Sequence, residues 1–177
     1  MALEALKQIA EIGHFEVSQD NEQEEIIPKT KWMFFFIGKE KYAVCENQVL
    51  YILNDVKLYN FPFAPQFIDG IINNHNKICT VVNYKKLINE FSSDLEMNLY
   101  IVLKTDTDDI ALRVSRIDDF YQVPDEAYSL VKTIDQENED CKFIVGDLNY
   151  EEEIIPVINI QTINDVIIGS CNKEVHG

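Results

Sequence analysis

Glycine is scarce in this chain, with six in 177 residues. So few leave little from which to build a loop of backbone amides around a phosphate, and no P-loop, GxGxxG or GxSxG pattern occurs. Histidine is scarcer still. His14, His75 and His176 stand far apart, and none lies two or four residues from another, so metal-ligand spacing is missing. The four cysteines, Cys45, Cys79, Cys141 and Cys171, form no CxxC pair and read as core or surface thiols of a reducing cytosol. Cys45 and Cys79 are flanked by apolar strand residues, with no base at hand to activate either. Positive charge is short as well: 15 Lys and Arg face 31 Asp and Glu, a net charge of −16. That field repels phosphate backbones and anionic lipid, which argues against nucleic acid and membrane insertion and favours a basic protein partner. The strongest apolar run, Trp32 to Ile37, is far too short to span a bilayer. The first residues carry acids where a signal peptide carries bases. Acid clusters such as Asp106-Thr107-Asp108-Asp109 and Glu151-Glu152-Glu153 fall in predicted turns without the calcium-loop spacing and read as solvated. No catalytic group, metal site or cofactor is expected.

What the chain does have is an internal repeat. Phe67 to Leu87, FIDGIINNHNKICTVVNYKKL, returns without a gap as Phe143 to Ile163, FIVGDLNYEEEIIPVINIQTI, at a constant offset of 76 (143 minus 67). Phe67 matches Phe143, Gly70 matches Gly146, Ile78 matches Ile154 and Asn83 matches Asn159. A repeat of this kind means two copies of one small unit. Each copy reads as a strand, a polar hairpin tip and a returning strand that runs into a short helical end. The first tip is expected at Asn73 to Lys77.

The flanks agree. Trp32 to Val44 reads as strand, turn at Gly38 to Lys41, strand, and Leu99 to Val114 repeats that order about a turn at Thr105 to Asp109. Val49 to Leu53 and Val56 to Phe61 read as further strands, with Pro62 and Pro65 breaking the ladder because proline has no N–H to donate. Ile117 and Phe120 fall where Val49 and Ile52 fall in the first unit. Each unit therefore offers about five short strands. A unit that small buries too little apolar surface to stand alone, and five strands can close into a small barrel. The expected fold is all-β with a few short helices, in two pseudo-symmetric five-stranded barrel subdomains. Residues 1–30 read as an extension, with helical spacing from Ala2 to Ile12 and a polar acidic linker from Ser18 to Thr30. Residues 170–177 read as a frayed tail. With no chemistry in view, exposed apolar residues are left to carry function, and Val49, Ile52 and Phe120 are the candidates.

The motif order resembles the chemotaxis coupling protein (CheW-like) family, of which this chain would be a divergent member. The resemblance covers about Trp32 to Ile168 and rests on FFFIGKEKYAV from Phe34, APQFIDGIIN from Ala64, LYIVL from Leu99, ALRVSRIDDFYQVP from Ala111, FIVG from Phe143 and IIPVINI from Ile154. It implies a CheW-like domain over 31–169, with intertwined SH3-like subdomains at about 31–97 and 98–169. It also implies a non-catalytic cytoplasmic adaptor that links chemoreceptor tips to the regulatory domain of a CheA-type histidine kinase. By position, Val49 falls at the receptor-contacting valine, and Asn98, Leu99 and Tyr100 fall at a partner-binding strand start. His75 and Asn76 stand where the family motif N-x-R-G-x-x-x-P-V-x-D-L has Arg and Gly; Thr80 and Asn83 replace its Pro and Asp. A histidine cannot copy the planar fork of an arginine. Two alternatives stay open: a CheW-like module repurposed for another signalling or motility system, and a small ligand-binding barrel or enzyme with a site between the units.

Overall fold

The computed structural model describes residues 26–90, 98–130 and 139–174, with backbone only at 139–140 and 171–174. The expected helix at Ala2 to Ile12, most of the acidic linker, His14 and His176 lie outside the described residues.

The first repeat forms β1 (Lys29–Ile37), β2 (Glu40–Cys45), β3 (Val49–Asn54), β4 (Ile68–Asn74), β5 (Lys77–Val82) and the single-turn α1 (Tyr84–Leu87). The second forms β6 (Leu99–Leu103), β7 (Ile110–Val114), β8 (Arg116–Pro124), β9 (Tyr128–Leu130), β10 (Ile144–Tyr150), β11 (Glu153–Ile158) and α2 (Ile160–Glu174). Several boundaries differ from expectation. β1 begins at Lys29, inside the expected linker. The hairpin tip is two residues rather than five: His75 and Asn76 both have positive φ, 49° and 68°, the signature of a type I′ turn whose twist matches that of the strands. Glu151 and Glu152, one repeat later, turn the same way at 49° and 66°. α2 continues to Glu174, through the start of the expected tail. The strand expected at Val56 to Phe61 is reduced to one bridge, Tyr59 to Ile71. Its counterpart in the second repeat is β9, so that repeat has six strands rather than five.

The strands assemble into two sheets with the orders β8-β1-β2-β11-β10-β9 and β3-β6-β7-β5-β4, and neither ladder closes on itself among the described residues. The repeats exchange hairpins. β1–β2 of the first repeat joins β11 of the second in parallel at Ala43 and Val157. β6–β7 of the second joins β5 of the first in parallel from Thr80 to Val82. Each sheet therefore draws from both halves of the chain, and a boundary near 97/98 divides the repeats but not the sheets.

The exchange explains the uninterrupted apolar run in β1. Met33, Phe35 and Ile37 point into the main core between the sheets, beside Ile101, Leu103 and Leu112. Trp32 and Phe34 point the other way, into a second cluster with Val123, Leu148 and Val157. Both faces of the strand are buried, so the alternation of a half-exposed strand is lost. β6 is divided likewise, with Tyr100 and Val102 in a third cluster with Ile72, Cys79 and Val81.

The repeat-matched residues have matching jobs. A Cβ on Gly70 would lie 2.3 Å from the Tyr59 carbonyl oxygen, and one on Gly146 would lie 2.6 Å from that of Ser129. Both glycines let a crossing backbone approach at a bulge. Asn83 and Asn159 cap the two helices, accepting from the backbone N–H of Lys86 at 3.3 Å and of Thr162 at 3.1 Å. They are N-cap residues of a preferred type.

Candidate functional site

Among the described residues β3 is an edge strand, hydrogen-bonded only to β6. Its sequence VLYILN contains no charge. Leu50 is 37% exposed, Tyr51 45% and Ile52 43%. Protein edges normally carry charge, proline or a cover against unwanted pairing. The repeat-related edge β8 does so, with Arg116, Asp118 and Asp119. β3 lacks that protection, which marks it as a surface to be covered. The register slips between Val49 and Tyr51, so Leu50 is the extra residue of a bulge.

The far edge of the same sheet curls back to meet β3. The Tyr51 and His75 rings lie 5.9 Å apart at 44°, which joins the first strand of the sheet to the β4–β5 tip by side chains rather than by a ladder. His75 and Asn76 are exposed there, and the Asn76 N–H donates to Asn73 Oδ1 at 3.1 Å. Alternation places Tyr51 and Leu53 on one face, with Leu53 against the third cluster, and Ile52 on the other. Val49 is half-buried against the main core.

The remaining predicted residues fall as follows. Asn98 is exposed and its carbonyl accepts from the Asp55 N–H at 3.4 Å. Leu99 is half-buried and faces Asn54 across the β3–β6 ladder. Tyr100 is corrected: it is 2% exposed and packs inside the third cluster, because β6 is central in its sheet and buried on both sides. Phe120 belongs to the other sheet, opposite Met33 on β1. It is half-buried on the main core, with the Lys31 ammonium 5.2 Å over its ring. The fold thus gathers Val49, Ile52, His75, Asn76, Asn98 and Leu99 around β3, buries Tyr100 and sets Phe120 on a separate edge. Leu50 and Tyr51 belong to the patch and were not singled out. Their signal was five consecutive apolar residues, Val49 to Leu53, with no polar alternation.

At the base of the β4–β5 hairpin, the end away from the tip, an ion cluster ties β4 to α1 and β7. Asp69 Oδ1 accepts from Lys86 Nζ at 2.6 Å, and Oδ2 accepts from Arg113 Nη1 at 2.7 Å and from Asn83 Nδ2 at 3.1 Å. Burial pushes the Asp69 carboxyl up, but the donors from Lys86, Arg113 and Asn83 outweigh it and hold the group below its ordinary range. A second cluster joins Lys85 to Glu40 and Glu90, and Tyr42 donates to Glu40 at 2.9 Å. Burial, then the Glu40 carboxylate, pushes the Tyr42 phenol far up. In both clusters every charge touches an opposite one. Among the described residues no three of His, Cys, Asp or Glu stand together as metal ligands, and no helix is long and apolar enough to cross a membrane.

The comparisons agree with this architecture. The model of the family described as "CheW-like domain" matches residues 31–166. Fifteen chains of solved structures match. One is the scaffolding protein TtCheW from Thermoanaerobacter tengcongensis, with a TM-score of 0.67 at 22% identity over 76% of this chain and 91% of that one. At that identity the likeness speaks for the fold. No curated protein matches the chain.

Proposed function

On the premise that the chain belongs to the CheW-like domain family, we propose that it is a non-catalytic adaptor of chemotaxis signalling, cytoplasmic, that couples chemoreceptor tips to a CheA-type histidine kinase. The observation that carries this reading is the uncharged, exposed β3 edge with the Tyr51 ring packed at a tilt against His75. A surface of this kind binds by burying apolar area. Val49, Leu50, Tyr51 and Ile52 supply that area; His75, Asn76, Asn98 and Leu99 form its polar and half-buried margin. Phe120 serves a second contact on the other sheet.

The adaptor acts by holding its partners in register, with no reaction of its own. The two sheets act as two barrel-like subdomains within a domain over 31–169, the second carried by β3 and the β4–β5 tip as they approach through Tyr51 and His75. The charge of −16 favours basic partner surfaces and speeds their encounter at low salt. His75 fills the arginine position of the family motif with a ring that packs, tilted, against Tyr51 rather than a fork that pairs, so the contact there is ring packing in place of an ion pair.

The test is a titration of the full chain against a receptor cytoplasmic tip and, separately, a CheA regulatory domain. Ile52→Asp places a charge in the patch at a residue 43% exposed that lies opposite Ile101, and is expected to weaken binding at least about 30-fold with a small loss of Tm. Val49→Asp is expected to do the same with some loss of stability, because Val49 also packs on the core. Binding by neither partner, or full binding by Ile52→Asp, would overturn the reading.

A further inference from the structure

The β3 edge offers more than apolar side chains. Its ladder sets Tyr51 opposite Val102, Ile52 opposite Ile101, Leu53 opposite Tyr100 and Asn54 opposite Leu99. Two backbone bonds at the ends fix which of these pairs are hydrogen-bonded. The Asp55 N–H donates to the Asn98 carbonyl at 3.4 Å, and the Lys104 N–H donates to the Gln48 carbonyl at 2.8 Å. Bonded and non-bonded pairs alternate along an antiparallel ladder. Counting inward from Asp55, Leu53 and Tyr51 turn their N–H and C=O groups toward β6, and Asn54 and Ile52 turn theirs outward. Counting from Gln48 past the bulge at Leu50 gives the same phase. Among the described residues no other backbone meets these outward groups.

The edge is also open on both faces of the strand, since Tyr51 on one side and Ile52 on the other are about equally exposed. A partner that covers both side chains covers the N–H and C=O groups between them as well. Each such group, buried and unpaired, costs about 1–3 kcal/mol. The outside of a helix has its backbone bonds spent internally, and a flat apolar surface has none to give, so either would lose at the backbone much of what it gains from the side chains. An extended backbone presents a donor and an acceptor at every second residue, which is the spacing of Ile52 and Asn54, and its side chains reach both faces.

We infer, resting on the adaptor reading of this site, that the protein partner docks by adding a strand to β3. Its backbone pairs with the outward groups of Ile52 and Asn54, and its alternate apolar side chains pack against Tyr51 on one face and Ile52 on the other. The added segment is neutral or basic. β3 carries no charge to oppose it, and the chain as a whole, at −16, attracts positive charge. The paired stretch runs from Ile52 to Asn54, because the Leu50 bulge interrupts it on one side and Asp55, with a φ of 51°, turns the chain away on the other. With so few main-chain bonds, the side chains on the two faces supply the remaining affinity and the choice of sequence.

Two measurements test this on the full chain, with a receptor tip and a CheA regulatory domain as partners. The first compares Ile52→Ala with Ile52→Pro. Both shorten the side chain, and proline also removes the outward N–H, at an edge position where it leaves the β3–β6 ladder whole. Ile52→Ala is expected to weaken binding about tenfold and Ile52→Pro at least about tenfold further. The second follows amide hydrogen exchange in the wild-type chain and needs no variant to fold. The Ile52 and Asn54 amides are expected to exchange freely in the free chain and to slow by at least about 100-fold in the saturated complex. Equal weakening by alanine and proline, or amides that still exchange freely in the complex, means that the partner covers side chains alone; either result overturns the added strand and leaves the adaptor reading standing. Amides already protected in the free chain overturn it too, since the edge is then taken by the chain's own residues or by a second copy. Binding by neither partner overturns the adaptor reading and this inference with it.

Discussion

The Asp69 cluster permits a prediction with a number and a sign. Asp69→Asn keeps the side-chain shape and removes the charge. The native carboxylate is 5% exposed and meets Arg113, 22% exposed, and Lys86, 41% exposed. A charge-assisted hydrogen bond contributes about 1.5–3 kcal/mol. The exposed Lys86 contact is discounted to about 0.5 kcal/mol, and the more buried Arg113 contact retains about 2. The substitution is therefore expected to cost about 2–3 kcal/mol near neutral pH, seen as a fall in Tm of roughly 5–10 °C. The pH dependence follows from the direction of the shift. Asp69 is held below the ordinary aspartate value in the folded state, so its contribution is fully present above the unfolded value and is lost as pH falls through the folded one. Urea titrations of both proteins across a pH series should show a constant gap from neutral down to about pH 5 that shrinks below about pH 4. A neutral-pH gap under about 0.5 kcal/mol, or one that widens on acidification, would refute the reasoning.

Three further outcomes can be checked by denaturation. Gly70→Ala is expected to cost roughly 3 kcal/mol and Gly146→Ala roughly 2; both Cβ atoms strike a crossing strand, and Gly70 also has a φ of 145°. Asn159→Ala should cost about 1 kcal/mol as a lost cap, and Asn83→Ala more, because Asn83 also donates to Asp69. Phe63→Asn should raise stability by about 1 kcal/mol, since an exposed ring at positive φ is replaced by a residue that tolerates it.

Most strands and the places of the two hairpins were legible because each depends on neighbours in sequence, apolar runs and a polar tip, whereas the two-residue length of the tip, the loss of the Val56–Phe61 strand and the presence of β9 were not. The repeat added Gly70 with Gly146 and Asn83 with Asn159, which prove to be bulge glycines and helix caps. Pairing across the repeats was implied by the resemblance, as intertwined subdomains, but not by the residue pattern itself. Two similar units offer similar apolar faces, and no local pattern distinguishes pairing within a copy from pairing between copies. The burial of Tyr100 escaped for a related reason: in LYIVL both faces are apolar, so alternation gives no inside or outside. α2 outran its prediction because a helix needs apolar residues only along its packed stripe. Ile160, Ile163 and Ile167 meet the core, while Ser170 onward is polar. At β3 the apolar run was visible, but that it forms an edge depends on which strand it lies beside.

The exchanged hairpins bear on how this chain can be made. β1 buries one face against strands more than a hundred residues ahead of it, since Phe34 shares a cluster with Leu148 and Val157. A ribosome delivers β1–β2 long before β11, so that hairpin waits with Trp32 to Ile37 uncovered, and folding is dominated by late, non-local closure. Neither half holds all the strands of a sheet, and a stop before β11 leaves β2 without its partner in the first sheet. Conversely, the two halves expressed as separate polypeptides hold complementary hairpins and should find each other, a split protein already present in the topology.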